Sequence, residues 1–146
     1  MRITILAVGH RMPAWIQDGF HEYARRMPPE LRLELVELKP QGKEAEGKRL
    51  LDGVPSGATL VALDEHGKSV TTQQLSKLLA GWMQDGTQPA FAIGGADGLA
   101  DAVKERARMK ISLSALTLPH ALARVVLAEQ IYRAWTILAG HPYHRE

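Results

Sequence analysis

Ala90-Phe91-Ala92-Ile93-Gly94-Gly95-Ala96-Asp97-Gly98 runs from four apolar residues straight into three glycines in five positions. An apolar run this short, closed by glycine, reads as a buried strand, and the amphipathic stretch from about Leu99 to Arg108 reads as the helix it feeds. A strand joined to a helix through a glycine turn is the repeating unit of an α/β domain with a mainly parallel sheet. The rest of the chain repeats that alternation in both directions.

Toward the N-terminus, Ala58 to Asp64 is another buried strand, followed by a helix over Thr71 to Met83 with Leu75, Leu78, Leu79 and Trp82 on one face. Met1 to Gly9 reads as the first strand. Pro13 to about Met27 places Ile16, Phe20, Tyr23 and Met27 at helical spacing, and Pro28-Pro29 stops the helix. Leu31 to Leu38 alternates apolar with charged residues as a second strand. Residues 39–49 are polar with two glycines, which predicts a mobile loop leading into a short helix that ends near Gly53. Toward the C-terminus, Ile111 to Leu116 is a fifth strand. Pro119 opens the longest helix, about 120–139, where Leu122, Val125, Val126, Tyr132 and Trp135 serve a core or an interface, and Gly140 ends it. The whole of 1–146 is expected to be one domain without internal repeats.

The chain has no cysteine, which excludes a thiolate nucleophile, a disulfide and a zinc ribbon. Its first residues lack the length and cleavage site of a signal peptide. No run approaches the eighteen or so apolar residues of a membrane span. A cytoplasmic protein without a membrane partner is therefore expected. The net charge of +2 is unevenly spread: Lys104 to Glu146 carries seven basic and three acidic residues. Such an excess fits either a polyanionic partner or a solvated helix face.

Three predicted strand ends can meet in one crevice, since ligands of open α/β sheets bind outside the carboxyl ends of the strands. They are Leu63-Asp64, Gly94-Gly95 and Leu113-Ser114-Ala115-Leu116-Thr117-Leu118-Pro119. The glycines allow close backbone approach to a nucleotide-like ligand, or simply a strand-to-helix turn. They are neither G-x-G-x-x-G nor a P-loop. Residues 114–119 are unusually apolar for a connection. They can read a ligand with an apolar edge, such as an adenine, or Leu116 and Leu118 can staple the next helix to the core. No nucleophile elbow surrounds Ser114. His120, His141 and His144 lack the carboxylate or thiolate companions of a metal site, and none is expected. Glu129 and Arg133, one helical turn apart, can pair with each other. Trp15, Trp82 and Trp135 read as core aromatics. The end of the chain, His141-Pro142-Tyr143-His144-Arg145-Glu146, is chemically loaded where tails are usually bland. Its side chains can stack on a base, grip a phosphate and handle a proton.

Taken together, Ala7-Val8-Gly9, Ile93-Gly94-Gly95-x-x-Gly98-Leu99, Leu113-Ser114-x-Leu116-Thr117-Leu118-Pro119-His120, Glu129-x-x-Tyr132-Arg133-Ala134 and His141-Pro142-Tyr143-His144 resemble one family from end to end. It is the ribosomal RNA large subunit methyltransferase H family of the SPOUT class, small bacterial enzymes that methylate a pseudouridine at N3. The 39–49 segment is shorter than the family's. The resemblance implies a mainly parallel sheet flanked by helices, with the C-terminal part threaded into a deep trefoil knot. It also implies a homodimer with the 120–139 helix near its interface, and ribosomal RNA in the assembled ribosome as partner. The cofactor it implies is S-adenosylmethionine, in a pocket lined by Leu63, Gly94, Gly95, Leu113, Ser114, Ala115, Leu116, Thr117 and Leu118. An imide N3–H must lose its proton before or during attack. On this reading Tyr143 stacks on or orients the base, His144 assists proton removal and Arg145 neutralises carbonyl or phosphate charge. A non-catalytic RNA-binding or assembly factor with the same fold is the alternative, and it would not retain the cofactor.

Overall fold

The computed structural model describes residues 1–145; Glu146, the last residue of the loaded tail, lies outside them. Five strands form one parallel sheet in the order β2-β1-β4-β3-β5. They are β1 (Arg2–Val8), β2 (Arg32–Leu38), β3 (Thr59–Ser69), β4 (Pro89–Ile93) and β5 (Met109–Ser112). The helices between and after them are α1 (Ala14–Ala24), α2 (Lys43–Gly53), α3 (Thr72–Asp85), α4 (Asp101–Arg106) and α5 (His120–Ala139), and a short 3₁₀ turn spans Pro142–Arg145. No helix among the described residues is long and apolar enough to cross a membrane.

Strand alternation sorts the core into two layers. Ile3, Ile5 and Ala7 of β1 face one side with Val61, Phe91 and Ile93, and meet Phe20 of α1, Leu75, Leu79 and Trp82 of α3, and Leu127, Ala128, Ile131 and Ala134 of α5. Leu6 and Val8 face the other side with Ala62, Ala90 and Ala92, against Leu50 of α2 and Leu99, Ala100 and Val103 around α4. The small alanines of β3 and β4 let this second pair of helices lie close. Gly47 of α2 is part of the same fit, since a Cβ there would stand 2.7 Å from that of Ala100. α5 packs against both α1 and α3, so its N-terminal end stands at the carboxyl ends of the central strands.

Several expected boundaries move, each for a local reason. α2 begins at Lys43, so most of the predicted 39–49 loop is helix. Gly42, at φ 96°, opens it, and the Glu46 carboxylate fixes that start by accepting the N–H groups of Gln41 and Gly42 at 2.9 and 3.0 Å. α3 starts with a reciprocal capping box between Thr71 and Gln74. α1 ends at Ala24 rather than Met27, and α4 is only six residues long. β3 does not stop at Asp64. Its pairing with β5 slips between Leu63 and Lys68, so residues 64–67 bulge outward before the strand resumes. β5 runs from Met109 to Ser112, starting two residues before and ending four residues before the expected Ile111 to Leu116; the pairing to β3 decides, and it leaves 113–119 as a connection. α5 and its left-handed Gly140 cap agree with expectation. Trp82 is buried, but Trp15 is 64% exposed. It sits on the outer face of α1's first turn, one residue before buried Ile16, where helical rotation turns it to solvent.

Candidate functional site

The carboxyl ends of β3, β4 and β5 and the start of α5 enclose a cleft of about 520 Å³. Each wall has a structural cause. Beyond β4 the chain doubles back so tightly that a Cβ on Gly94 would lie 2.5 Å from the carbonyl carbon of Gly98. Gly95 and Gly98 form an isolated bridge, with the Gly98 N–H donating to the Gly95 carbonyl at 3.0 Å. Gly98 itself takes φ 79°. The glycine run therefore needs both close approach and a positive φ.

The second wall is the bulge after Leu63, which brings Asp64, Glu65 and His66 to the cleft. Bulges commonly re-aim side chains beside functional sites. Asp64 accepts the His66 N–H at 3.1 Å and lies 3.7 Å from the Lys104 ammonium. The third wall is the connection after β5, shaped by its two serines. The Ser112 hydroxyl donates to the Ser114 carbonyl, and Ser114 Oγ accepts the Leu116 N–H, both at 2.9 Å. Leu113, Ser114, Leu116, Thr117 and Leu118 line the cleft; Ala115 is exposed and does not. Leu116 is 75% exposed, so it is not the helix staple that its apolar character allowed. An exposed leucine on the rim of a cleft offers apolar surface to whatever enters.

The tail lies elsewhere in the chain. Its 3₁₀ turn folds back onto α5, where the Tyr143 hydroxyl donates to Glu129 Oε2 at 2.7 Å. The same oxygen takes an Arg133 N–H at 2.7 Å. The Arg133 guanidinium stands 4.8 Å from the Tyr143 ring centroid, the Tyr132 ring meets that ring edge-on at 4.8 Å, and Arg26, just after α1, closes from 5.8 Å. Burial first, and then the bond to Glu129, pushes the Tyr143 phenol well above its ordinary pKa, so the phenol keeps its proton and acts as a donor and a ring. His144 is half-buried with Nδ1 lacking a hydrogen-bond partner among the described residues, and Arg145 is exposed. None of Tyr143, His144 and Arg145 lines the cleft. Glu129 is nine residues along α5 from His120 at the cleft, roughly 14 Å at helical rise.

His120 at the cleft and His141, packed by Tyr132 and Trp135, are likewise apart. Among the described residues no three metal-binding side chains converge. One expected pair and one residue that patterning did not single out support the site. Glu129 and Arg133 do pair, but their shared work is to seat Tyr143. Arg124, one turn after His120, is 1% exposed; it binds Glu37 at 2.7 Å and donates to the Gly9 carbonyl at 3.4 Å, tying α5 to the ends of β1 and β2. A charged residue between the apolar neighbours Leu122, Ala123, Val125 and Val126 is the available signal.

A parallel sheet with a glycine-built cleft at its strand ends and a long C-terminal helix beside it is the architecture of a methyltransferase class, and the family model described as "Predicted SPOUT methyltransferase" matches residues 1–144. The chain belongs to the SPOUT methyltransferase family. Its relatives narrow the class. It is 53% identical to the ribosomal RNA large subunit methyltransferase H of Ralstonia pickettii (strain 12J) and 54% identical to that of Burkholderia mallei (strain SAVP1), in each case over 99% of both chains. Among solved structures, it resembles a probable methylase family protein from Haemophilus influenzae Rd KW20, with a TM-score of 0.58 and 10% identity, over 97% of this chain and 69% of that one. It also resembles the SpoU methyltransferase AviRb from Streptomyces viridochromogenes, solved with the cofactor AdoMet, with a TM-score of 0.50 and 16% identity, over 94% and 61%. At such identities the two structures speak for the fold.

Proposed function

We propose that this protein methylates large-subunit ribosomal RNA with S-adenosylmethionine as donor, at N3 of a pseudouridine in the assembled ribosome. The observation that carries the reading is the cleft itself. Three strand ends form it in a chain more than half identical, end to end, to ribosomal RNA large subunit methyltransferase H proteins. Its chemistry fits the donor. Main-chain groups around Gly94, Gly95 and 113–118 are available to an adenine edge, Leu116 supplies apolar cover, and the acids at 64–65 suit ribose hydroxyls and a sulfonium charge. Leu63, Gly94, Gly95 and Leu113 to Leu118 would hold it, Ala115 through its backbone. Bound there, it supplies an electrophilic methyl group for in-line displacement.

The protein's own task is to hold the acceptor nitrogen at about 3–3.5 Å from that carbon and keep water out. Tyr143, with its phenol already committed to Glu129, orients or stacks on the base. His144 takes the N3 proton as the nitrogen lone pair forms its new bond, and Arg145 offsets the charge left on a carbonyl or phosphate. Since the tail and the cleft stand apart within one chain, the reading includes a homodimer that brings one protomer's tail to its partner's cleft. The partly buried Leu122, Val125 and Val126 and the exposed Leu138 of α5 supply apolar surface for it. It also includes the trefoil knot, with 113–119 and α5 as the threaded segment, and a cytoplasmic location with the ribosome.

The test is transfer from labelled S-adenosylmethionine to ribosomes, and separately to free large-subunit RNA, from cells lacking the protein. Label on one pseudouridine, stronger on ribosomes, is the expected result. Cofactor binding without transfer to either would favour the non-catalytic RNA-binding factor.

A further inference from the structure

We infer that a second cavity beside the cleft receives the edge of the target base that carries its other N–H, and that Glu46 is the acceptor that reads it. The inference rests on the reaction proposed above and concerns how that site selects pseudouridine over uridine. The cavity is about 350 Å³ and lies against the end of β1 and the turn before α2, including Val8, Gln41, Gly42 and Glu46. It shares Gly95, Ala96, Asp97 and His120 with the larger cleft, so a group seated in one reaches the other.

Glu46 is only 6% exposed. Its two oxygens have different surroundings. Oε2 accepts the Gln41 and Gly42 N–H groups and so holds the start of α2. Oε1 takes no hydrogen bond among the described residues, and it stands 3.4 Å from where a Cβ on Gly95 would be, at the boundary of cavity and cleft. A carboxylate oxygen that opens onto a cavity keeps its water until a bound group displaces it, and that group must then donate in its place. The fold supplies two donors to its twin and none to it.

A base with two N–H groups meets that requirement. Pseudouridine is joined to its ribose through carbon and so carries an N1–H as well as N3–H. Uridine, joined through N1, presents a C–H at the equivalent edge. With N3 turned toward the cleft, the N1–H of pseudouridine satisfies Oε1, whereas uridine displaces its water and leaves it without a donor. Sites built around such a hydrogen bond reject the analogue that lacks it.

The experiment compares kcat/KM on ribosomes carrying pseudouridine or uridine at the target position, for the wild-type protein and Glu46→Gln, together with the S-adenosylmethionine Kd of each. In Glu46→Gln the amide oxygen keeps the two backbone N–H groups, which turns the NH2 into the cavity, donor facing donor. The expected result is a wild-type preference for pseudouridine of at least about 10-fold. In the variant, that preference collapses toward one through an approximately 10- to 100-fold loss on pseudouridine, while cofactor Kd stays within about 2-fold. An unchanged preference in the variant, or an equal loss on both substrates with weakened cofactor binding, would overturn the inference and leave Glu46 as the cap of α2. No transfer by the wild-type protein to either ribosome would overturn the methyltransfer reading, and this one with it.

Discussion

The cleft at the strand ends and the tail on α5 differ in what shapes them. Around the cleft the backbone does it: Gly94 closes on Gly98, residues 64–67 bulge out of β3, and Ser114 pins the turn to Leu116. At the tail the backbone is a single turn of 3₁₀ helix, and Tyr143 owes its position to Glu129, Arg133, Tyr132 and Arg26. A surface made of main chain is rigid and unforgiving of added atoms, whereas one made of side chains can be tuned by exchanging partners. The two regions should therefore fail in different ways.

The largest effect is expected at Gly94→Ala. Its Cβ meets backbone that has no room to yield, an overpacking cost near 3 kcal/mol that corresponds to about 100-fold weaker cofactor binding. Calorimetry with S-adenosylmethionine should show it, with turnover lost in step. Next come His144→Ala and Arg145→Ala, each expected to lower kcat by about 100-fold, as loss of a proton acceptor or a charge stabiliser does, with cofactor Kd unchanged. Equal damage to binding and turnover in those variants would erase the distinction between the regions. Glu129→Gln should be milder, about 10-fold in kcat, because Tyr143 keeps a neutral partner but loses a charge-assisted one.

The smallest effect concerns pH. The folded pKa of Tyr143 is raised, so the docked, protonated phenol contributes its full stability below the ordinary tyrosine value near 10 and loses it only as pH climbs toward the higher folded value. Tyr143→Phe should therefore leave the shape of the kcat profile between about pH 6 and 9 unchanged, whatever it does to the rate. A limb of the wild-type profile that vanishes in Tyr143→Phe would mean that the phenol titrates in that range.

Much of the layered fold is legible in the chain because its causes are local. The apolar runs of β1, β3 and β4, the spacing of α3 and the Pro119-to-Gly140 limits of α5 read directly, and so do the three strand ends that meet in the cleft. What could not be read depends on contacts distant in sequence. The true end of β5 is set by its pairing with a bulged β3, and the early start of α2 by a carboxylate reaching back to Gln41 and Gly42. The seat of Tyr143 joins the turn after α1, α5 and the tail, and periodicity carries no trace of it. The knot proposed above would be of the same kind, for threading leaves no mark on hydrophobic spacing.

The central claim is that cleft and tail serve one reaction although one chain keeps them roughly 14 Å apart along α5. Mixing Gly94→Ala with Arg145→Ala tests it most directly, after each is shown to be folded and the subunits to have exchanged. Half of the resulting dimers would be mixed, each with one intact cleft facing one intact tail, so the account predicts recovery to about a quarter of wild-type turnover where each variant alone has almost none. No recovery from exchanged subunits would contradict it, and would mean that each tail serves the cleft of its own chain.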